Sequence, residues 1–213
     1  ESLQMMAGIY TTMNNEHQLT DMSYLFVCEI ASDDKLGGGG VNDVNAQAFE
    51  AFMYSNPNML SHNWETTYEG IHRANFAIEK IDEMGDEEDI LSDGLKKQYK
   101  GEALFLRAFF YHRLATLYGK VPLKLTTELA ELGGAPADEI FAQIATDLKE
   151  AIELLPNKAY SSTKEGHVTR WAAQAMMARV WLFYTGFHEK ADLPLVDGGR
   201  ISKQNVIDWL GEC

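Results

Sequence analysis

Apolar residues recur at three- and four-residue steps along most of the chain, which predicts a succession of amphipathic helices. The densest stretch is residues 102–123, where large apolar side chains cover more than one helical face. We therefore expect this helix to be buried. Gly119 and Pro122 supply a helix stop signal at its end.

The helices are expected to pair into hairpins and to form one all-α domain over residues 1–213. The architecture is predicted to be a stack of tetratricopeptide-like helical hairpins, like an α-solenoid, with a long polar loop insertion. The predicted hairpins lie at about residues 1–31, 63–118 and 137–186, the loop at 32–62, and the last helix at about 202–211.

An internal repeat supports this architecture. Residues of the densest helix and the turn after it recur 72 positions later (175 − 103 = 72). The matched pairs include Ala103 and Ala175, Arg107 and Arg179, and Pro122 and Pro194. A period near 70 residues is about two helix-turn-helix units of roughly 34 residues each. Because Arg107 and Arg179 hold equivalent positions on apolar helices, we expect both to find buried partners and to tie hairpins together.

The charge balance excludes some classes of partner. The chain has 18 basic and 32 acidic residues and a formal net charge of −14. Nucleic acid is an unfavourable partner, since binding it requires clustered Lys and Arg, and anionic membrane surfaces are disfavoured too. Two cysteines are too few for a disulfide framework, and Cys28, within an apolar run, is expected to be a buried thiol.

Catalytic and cofactor motifs are absent from the sequence. The glycines at 37–40 lack the Lys-Ser or Lys-Thr of a phosphate-binding loop, and the six histidines show no zinc-ligand spacing. Oxygen-rich side chains between residues 33 and 45 could surround calcium, but their spacing does not match an EF-hand loop. We therefore expect no cofactor, no metal and no catalytic residue, and a binding function rather than an enzyme.

Four stretches together resemble the SusD/RagB-like family of outer-membrane, glycan-binding lipoproteins. The specific part is the arginine-alanine-phenylalanine segment at 107–109 followed by the leucine-tyrosine-glycine-x-valine-proline run at 117–122. The other stretches are residues 64–75, the helix at 138–156, and residues 166–169 leading into 172–175. Family members are about twice this length or more, so the resemblance implies that the chain is the N-terminal, repeat-bearing part of a longer protein.

The resemblance implies a cell-surface protein without enzyme activity. Such a protein captures oligosaccharides or polysaccharides, including starch, and hands them to a partner TonB-dependent transporter of the SusC type. It would sit on the extracellular face of the outer membrane, associated with it only through an N-terminal lipid that this chain lacks. The shared motifs are packing motifs, so no ligand-binding residue can be transferred from the family.

The candidate ligand site is the polar segment before the helix that begins near residue 63, because packing explains this segment least. Sugar recognition needs aromatic faces for the C–H side of the ring and amides or carboxylates for the hydroxyls. The candidate ligand-binding residues are Asp33, Asp34, Asn42, Asp43, Asn56, Asn58, Asn63 and Trp64.

Other interpretations remain open at this stage. Trp64 could be the first core residue of its helix, and the polar segment an ordinary surface loop. For the whole protein, the alternative function is a helical-repeat scaffold for protein interactions without a small ligand. An enzyme that hydrolyses glycans with the loop carboxylates ranks third.

Overall fold

Eight helices and two short antiparallel ladders make up the regular structure of the described residues, which are 2–15, 23–32, 34–53, 59–84, 91–160 and 166–213 of a computed structural model. The helices are α1 (Ser2–Asn15), α2 (Tyr24–Ala31), α3 (Val44–Glu50), α4 (Ser61–Glu83), α5 (Asp93–Tyr118), α6 (Ala137–Leu154), α7 (Arg170–Phe187) and α8 (Lys203–Gly211). The strands are β1 (Val121–Pro122), β2 (Gly134–Ala135), β3 (Leu193–Pro194) and β4 (Arg200–Ile201). The all-α prediction is confirmed.

Local sequence signals account for several of the helix ends. Gly119 follows α5 with a left-handed backbone (φ 75°), and the Thr169 side chain accepts a hydrogen bond from Ala172 N at the start of α7. Ser202 and Asn205 form a reciprocal capping box at the start of α8. These caps satisfy backbone groups that the first and last helical turns leave without partners.

The long helices pack in chain order, α4 against α5, α5 against α6, α6 against α7, and α7 against α8. The ladders occupy equivalent places in this stack. In the first, between α5 and α6, Val121 pairs with Ala135; in the second, between α7 and α8, Leu193 pairs with Ile201. Val121 and Leu193 are themselves 72 residues apart, so the internal repeat includes these ladders, which periodicity alone did not predict.

The predicted first hairpin, residues 1–31, is wrong in the part of the chain that the structure describes. Helix α1 packs on α4 and α5, whereas α2 packs on α3. The predicted loop, 32–62, is also not entirely a loop, because it contains α3 and the first residues of α4. Helices α2 and α3 enclose a small second core formed by Val27, Ile30, Ala46, Ala48, Phe49 and Met59.

Cys28 is exposed, contrary to the expectation of a buried thiol. Helix α2 has only eight residues and buries a single stripe, Val27 and Ile30. Position 28 lies off that stripe, one residue after Val27 at 100° per residue, so its side chain faces outward.

The Arg107 guanidinium is buried and forms hydrogen bonds to two neighbouring helices, α4 and α6. Its Nε and Nη2 donate to the two carboxylate oxygens of Asp147 on α6, both at 2.7 Å, and its Nη1 donates to Asn75 Oδ1 on α4 at 3.0 Å. This bidentate pair connects α4, α5 and α6, as expected. The matching expectation for Arg179 is wrong, because Arg179 is exposed. The nine residues of α8 cover α7 less than the 18 residues of α6 cover α5.

A second buried polar cluster surrounds the fully buried Glu102 carboxylate on α5. Tyr10 Oη on α1 and Gln98 Nε2 each donate to it at 2.7 Å, and His167 Nδ1 lies 2.8 Å from Oε2. When the Glu102 carboxylate is ionised it can only accept, and His167 then donates from Nδ1. Val168 N donates to Tyr10 Oη at 2.9 Å, so the cluster fixes α1 and the start of the α7 region onto α5.

His112 on α5 predicts a specific pH dependence of stability. Its burial, together with the positive charges of Arg179 and Arg113, lowers the pKa of His112 from 6.5 to about 4. Between these values the unfolded chain binds a proton that the folded chain does not, so stability falls as the pH falls. At pH 5 this group is expected to cost about 2 kcal/mol relative to pH 7.

Urea unfolding at pH 7 and pH 5 measures this cost. His112→Leu should lose about 2 kcal/mol less than the wild type over this interval. His62→Leu, which removes an exposed histidine, should follow the wild type. Equal losses in the wild type and His112→Leu would show that His112 does not set the pH response.

Candidate functional site

The polar segment that the sequence marks as a candidate site is internally organised between residues 34 and 53. Asp43 Oδ2 accepts from Gly40 N at 2.7 Å, and Gln47 Nε2 donates to Gly40 O at 3.2 Å. Glu50 Oε2 accepts from Gly37 N at 2.8 Å. The glycine turn is therefore held against α3 by side chains, and the Asp43 carboxylate already has a structural partner.

Phe52 ends α3 in an unusual conformation. Met53 N donates to Ala48 O and Phe52 N to Phe49 O, which is the Schellman pattern, but the C′ position is Phe52 (φ 53°) where glycine is usual. A side chain in this left-handed conformation costs about 1–2 kcal/mol. Phe52 and Met53 are exposed, 65% and 62% respectively. Their large apolar neighbours in the segment that are also exposed are Leu36, Val41 and Val44.

A shallow aromatic depression lies at the start of α4. It measures about 180 Å³ and is lined by Trp64, Tyr68, Pro122, Lys124, Ala130 and Leu132. That volume holds about six waters at ~30 Å³ each, enough for a single sugar ring. The wall thus combines two aromatic side chains with Lys124.

The aromatic wall is held rigidly by the fold. The Trp64 ring lies 4.9 Å from the Tyr68 ring and 5.0 Å, edge-on, from the Tyr118 ring. Tyr68 Oη donates to Pro122 O at 2.7 Å, and burial raises the pKa of Tyr68, so this phenol stays neutral. Tyr118 Oη donates to Leu60 O at 2.9 Å. Trp64 is half-buried, so it packs on the core and also presents surface to the depression.

The structure places the predicted site residues in two groups. Asp34 and Asn42 are exposed and Asp43 holds the glycine turn, whereas Asn63 is buried and Trp64 lines the depression. Asp33, Asn56 and Asn58 lie outside the described residues. Within the described ranges, no hydrogen bond or ring contact joins the Asp43 turn to Trp64. The ligand role of these residues stays a prediction.

Two features of this region were missed by sequence reasoning. Phe52 was not singled out because a helix C′ position normally signals itself by glycine or asparagine. The other feature is the far wall of the depression, because Lys124, Ala130 and Leu132 lie in the connection after α5. Hydrogen bonds from Tyr68 to Pro122 O and from Asn75 to Lys124 O hold that connection against α4.

In the described part of the chain, no group of three or more His, Cys, Asp or Glu side chains could hold a metal ion. Nor does any helix in the described ranges have the length and hydropathy needed to span a bilayer.

The family model "SusD-like_3", described as starch-binding associating with outer membrane, matches residues 4–182. The chain belongs to the SusD-like family. This family is one of binding proteins, and its description places it at the outer membrane. The resemblance found in the sequence, and the tetratricopeptide-like architecture predicted from its internal repeat, are confirmed.

Individual SusD-like relatives agree with this assignment. SusD-like protein P2 of Formosa agariphila is 26% identical over 194 residues, which is 87% of this chain and 36% of the relative. The solved structure of a laminarin binding SusD-like protein is 25% identical with a TM-score of 0.78, over 89% of this chain and 41% of that one. Surface glycan-binding protein A from Bacteroides uniformis has the same fold, with a TM-score of 0.78 at 23% identity over 99% of this chain and 45% of that one. The chain spans less than half the length of these relatives.

Proposed function

We propose that this SusD-like protein captures a glycan at the cell surface and delivers it to a partner TonB-dependent outer-membrane transporter of the SusC type. In this proposal the protein is held on the extracellular face by an N-terminal lipid and carries out no catalysis. Family membership and a structural neighbour that is named for laminarin binding support glycan capture.

The observation that carries the proposal is the aromatic depression at Trp64. A sugar ring stacks its C–H face on an indole ring, and burying that contact removes apolar surface from water. In this proposal the ammonium of Lys124, a lining residue, is the donor to sugar hydroxyls. The exposed Asp34 and Asn42 offer further polar groups for a longer glycan.

Trp64→Ala in the full-length protein is expected to weaken oligosaccharide binding by about 10- to 150-fold, the equivalent of losing roughly 1.5–3 kcal/mol of aromatic contact. Isothermal titration with a panel that includes laminarin and starch oligosaccharides measures the change. Trp209→Ala, a half-buried tryptophan on α8, is the matched control and should bind as the wild type does.

A second variant separates binding from stability, because Trp64 also packs on the core. Ala130→Trp fills the depression from its exposed rim without removing a core side chain, and should weaken binding to a similar extent. Absence of binding across the whole panel by the full-length protein would contradict glycan capture. Co-purification with a transporter in that case would favour the protein-interaction alternative.

A further inference from the structure

A larger cavity lies between α1 and α4 and shares no residue with the Trp64 depression. It measures about 510 Å³ and is lined by Gln4, Met5, Gly8, Thr11, His72, Arg73 and Phe76. That volume corresponds to about 17 waters at ~30 Å³ each, which is room for more than one sugar ring. We refer to it as the α1–α4 cleft.

Gly8 keeps the floor of the α1–α4 cleft open. It lies in the middle of α1, where glycine costs about 0.5–1 kcal/mol relative to alanine. Its backbone does not require glycine, because its φ is not positive. A Cβ there would meet only Arg73 Cδ, at 3.9 Å, which is an ordinary contact. Glycine at this position is therefore not required for close packing of the helices. Its lack of a side chain leaves space between α1 and α4.

Arg73 presents a fixed positive charge to the cleft. Its Nη1 donates to Gly8 O at 3.0 Å and to Thr12 Oγ1 at 2.6 Å, which holds the guanidinium in place. Its Nη2 pairs with Glu69 on the next turn, an ion pair whose side chains are 38% and 53% exposed. Such surface pairs contribute little, so a ligand carboxylate can replace Glu69 at small cost. The Nε–H makes no hydrogen bond to the described residues.

The other lining groups suit a sugar ring. Phe76 is 43% exposed and Lys80 Nζ lies 5.8 Å from its ring centroid, so the ring is an accessible aromatic surface beside a cation. Gln4 and His72 offer an amide and an imidazole for hydroxyl groups. Among the described residues, no carboxylate lines the cleft, although acidic residues outnumber basic ones 32 to 18 in the chain. Because Glu69 already pairs with Arg73, the cleft favours an anionic ligand through the exchange of that exposed carboxylate for one on the ligand.

We propose that the α1–α4 cleft binds a saccharide that carries a carboxylate, a uronic acid residue, with the sugar ring on Phe76 and the carboxylate on Arg73. This site rests on the proposed glycan-binding function and adds to it a second subsite with a preference for acidic sugars. Charge-assisted hydrogen bonds from a guanidinium to a carboxylate are short and about twice as strong as neutral ones, which gives the preference its physical basis.

The first test fills the cleft without altering the core. In the full-length protein, Gly8→Met places a side chain in the cavity and is expected to weaken trigalacturonate binding at least about 10-fold by calorimetry. Its melting temperature should not fall, since methionine is the better helix former. Gly186→Met, also at a helical glycine with nothing within 4 Å of its Cβ position, is the matched control and should leave the affinity unchanged.

The second test predicts a gain that a purely structural role would not give. Glu69→Gln removes the carboxylate that competes for Arg73, so trigalacturonate should bind about 2- to 5-fold more tightly. The binding of neutral maltotriose should not change. Glu65→Gln removes the same charge one turn earlier on α4 and should have no comparable effect.

The outcomes separate this proposal from the broader one. No trigalacturonate binding by the full-length protein, equal affinities in Gly8→Met and Gly186→Met, or equal changes in Glu69→Gln and Glu65→Gln would each overturn the cleft site. Neutral oligosaccharide binding that Trp64→Ala abolishes and Gly8→Met preserves would meanwhile uphold the proposed function. If Trp64→Ala leaves all binding intact while Gly8→Met removes trigalacturonate, the cleft is the site and the Trp64 depression is not.

Discussion

Asp147→Ala is expected to destabilise the fold by about 3–5 kcal/mol, because it leaves the Arg107 guanidinium buried without its carboxylate. The Arg107 and Asp147 side chains are only 8% and 2% exposed, so water cannot replace the lost partner. Gln143 Nε2, which donates to Asp147 Oδ1 at 2.7 Å, also loses its acceptor. Denaturant unfolding of the variant and the wild type measures the difference in the free energy of unfolding.

Two further variants test whether this loss comes from the buried charge. Glu150→Ala, on the same helix, removes a carboxylate that is 42% exposed and 3.4 Å from Lys100 Nζ, and should cost less than about 1 kcal/mol. The double variant Arg107→Met with Asp147→Leu should recover most of the stability, because apolar replacements for both partners leave no charge buried. A loss below about 1 kcal/mol in Asp147→Ala would contradict the predicted role of the pair.

Gly70→Ala is expected to cost about 3 kcal/mol, since the new methyl group overlaps the Phe110 ring between α4 and α5. A Cβ at Gly70 on α4 would lie 2.5 Å from two atoms of the Phe110 ring, which is fully buried on α5. Real Cβ atoms do not approach so closely, and the ring cannot move out of a close-packed core without displacing its neighbours. Thermal or denaturant unfolding measures the loss.

A double-mutant cycle assigns this loss to the Phe110 ring. Phe110→Leu removes the ring atoms that the new Cβ would meet, so Gly70→Ala should cost much less in that background. Gly186→Ala, where nothing lies within 4 Å of the Cβ position, should be neutral or stabilise by up to about 1 kcal/mol. Additive effects of Gly70→Ala and Phe110→Leu would show that the clash is relieved elsewhere.

Both predictions concern the same structural property, the position of α4 in the stack. Trp64 and Tyr68 of the depression, and Arg73 and Phe76 of the α1–α4 cleft, all lie on this helix. Gly70 sets its distance to α5, and Asn75 joins it to Arg107. A shift of α4 is therefore expected to change both candidate sites together.

Sequence reasoning succeeded where the signal is local or repeated. The end of α5 at Gly119 and the Thr169 cap of α7 follow from residues within one helical turn. The 72-residue repeat identified the stacked architecture, and the motif at 107–122 identified the family. Such signals are readable because backbone hydrogen bonds and family motifs depend on neighbouring positions.

Prediction from the sequence failed where a residue's environment depends on another part of the chain. The pattern that marks Arg107 also marks Arg179, yet only Arg107 has a covering helix with an aspartate at the right place. Helix α1 was paired with its neighbour in sequence, but it packs on α4, about 60 residues away. Cys28 was assigned to the core from an apolar run, although α2 buries only one stripe of that run.

The candidate sites show the same division. The sequence supplied Trp64 and the polar residues of the segment before it, because aromatic and amide side chains can be recognised by type. It could not supply the depression itself, whose far wall comes from Pro122, Lys124, Ala130 and Leu132, or the α1–α4 cleft. Each cavity is formed by residues from separate parts of the chain, so the sequence of a single helix or loop does not reveal it.

By itself, the sequence determined the helical class, most helix positions, the repeat and the membership of the SusD-like family. The tertiary structure alone decided which helices meet, which arginine is buried, where Gly70 permits close approach, and where the two cavities open. The physical reason is the distance along the chain over which each interaction acts. Helix propensity and capping act over three or four residues, whereas burial, ion pairing and cavity shape arise from packing between residues far apart in the chain.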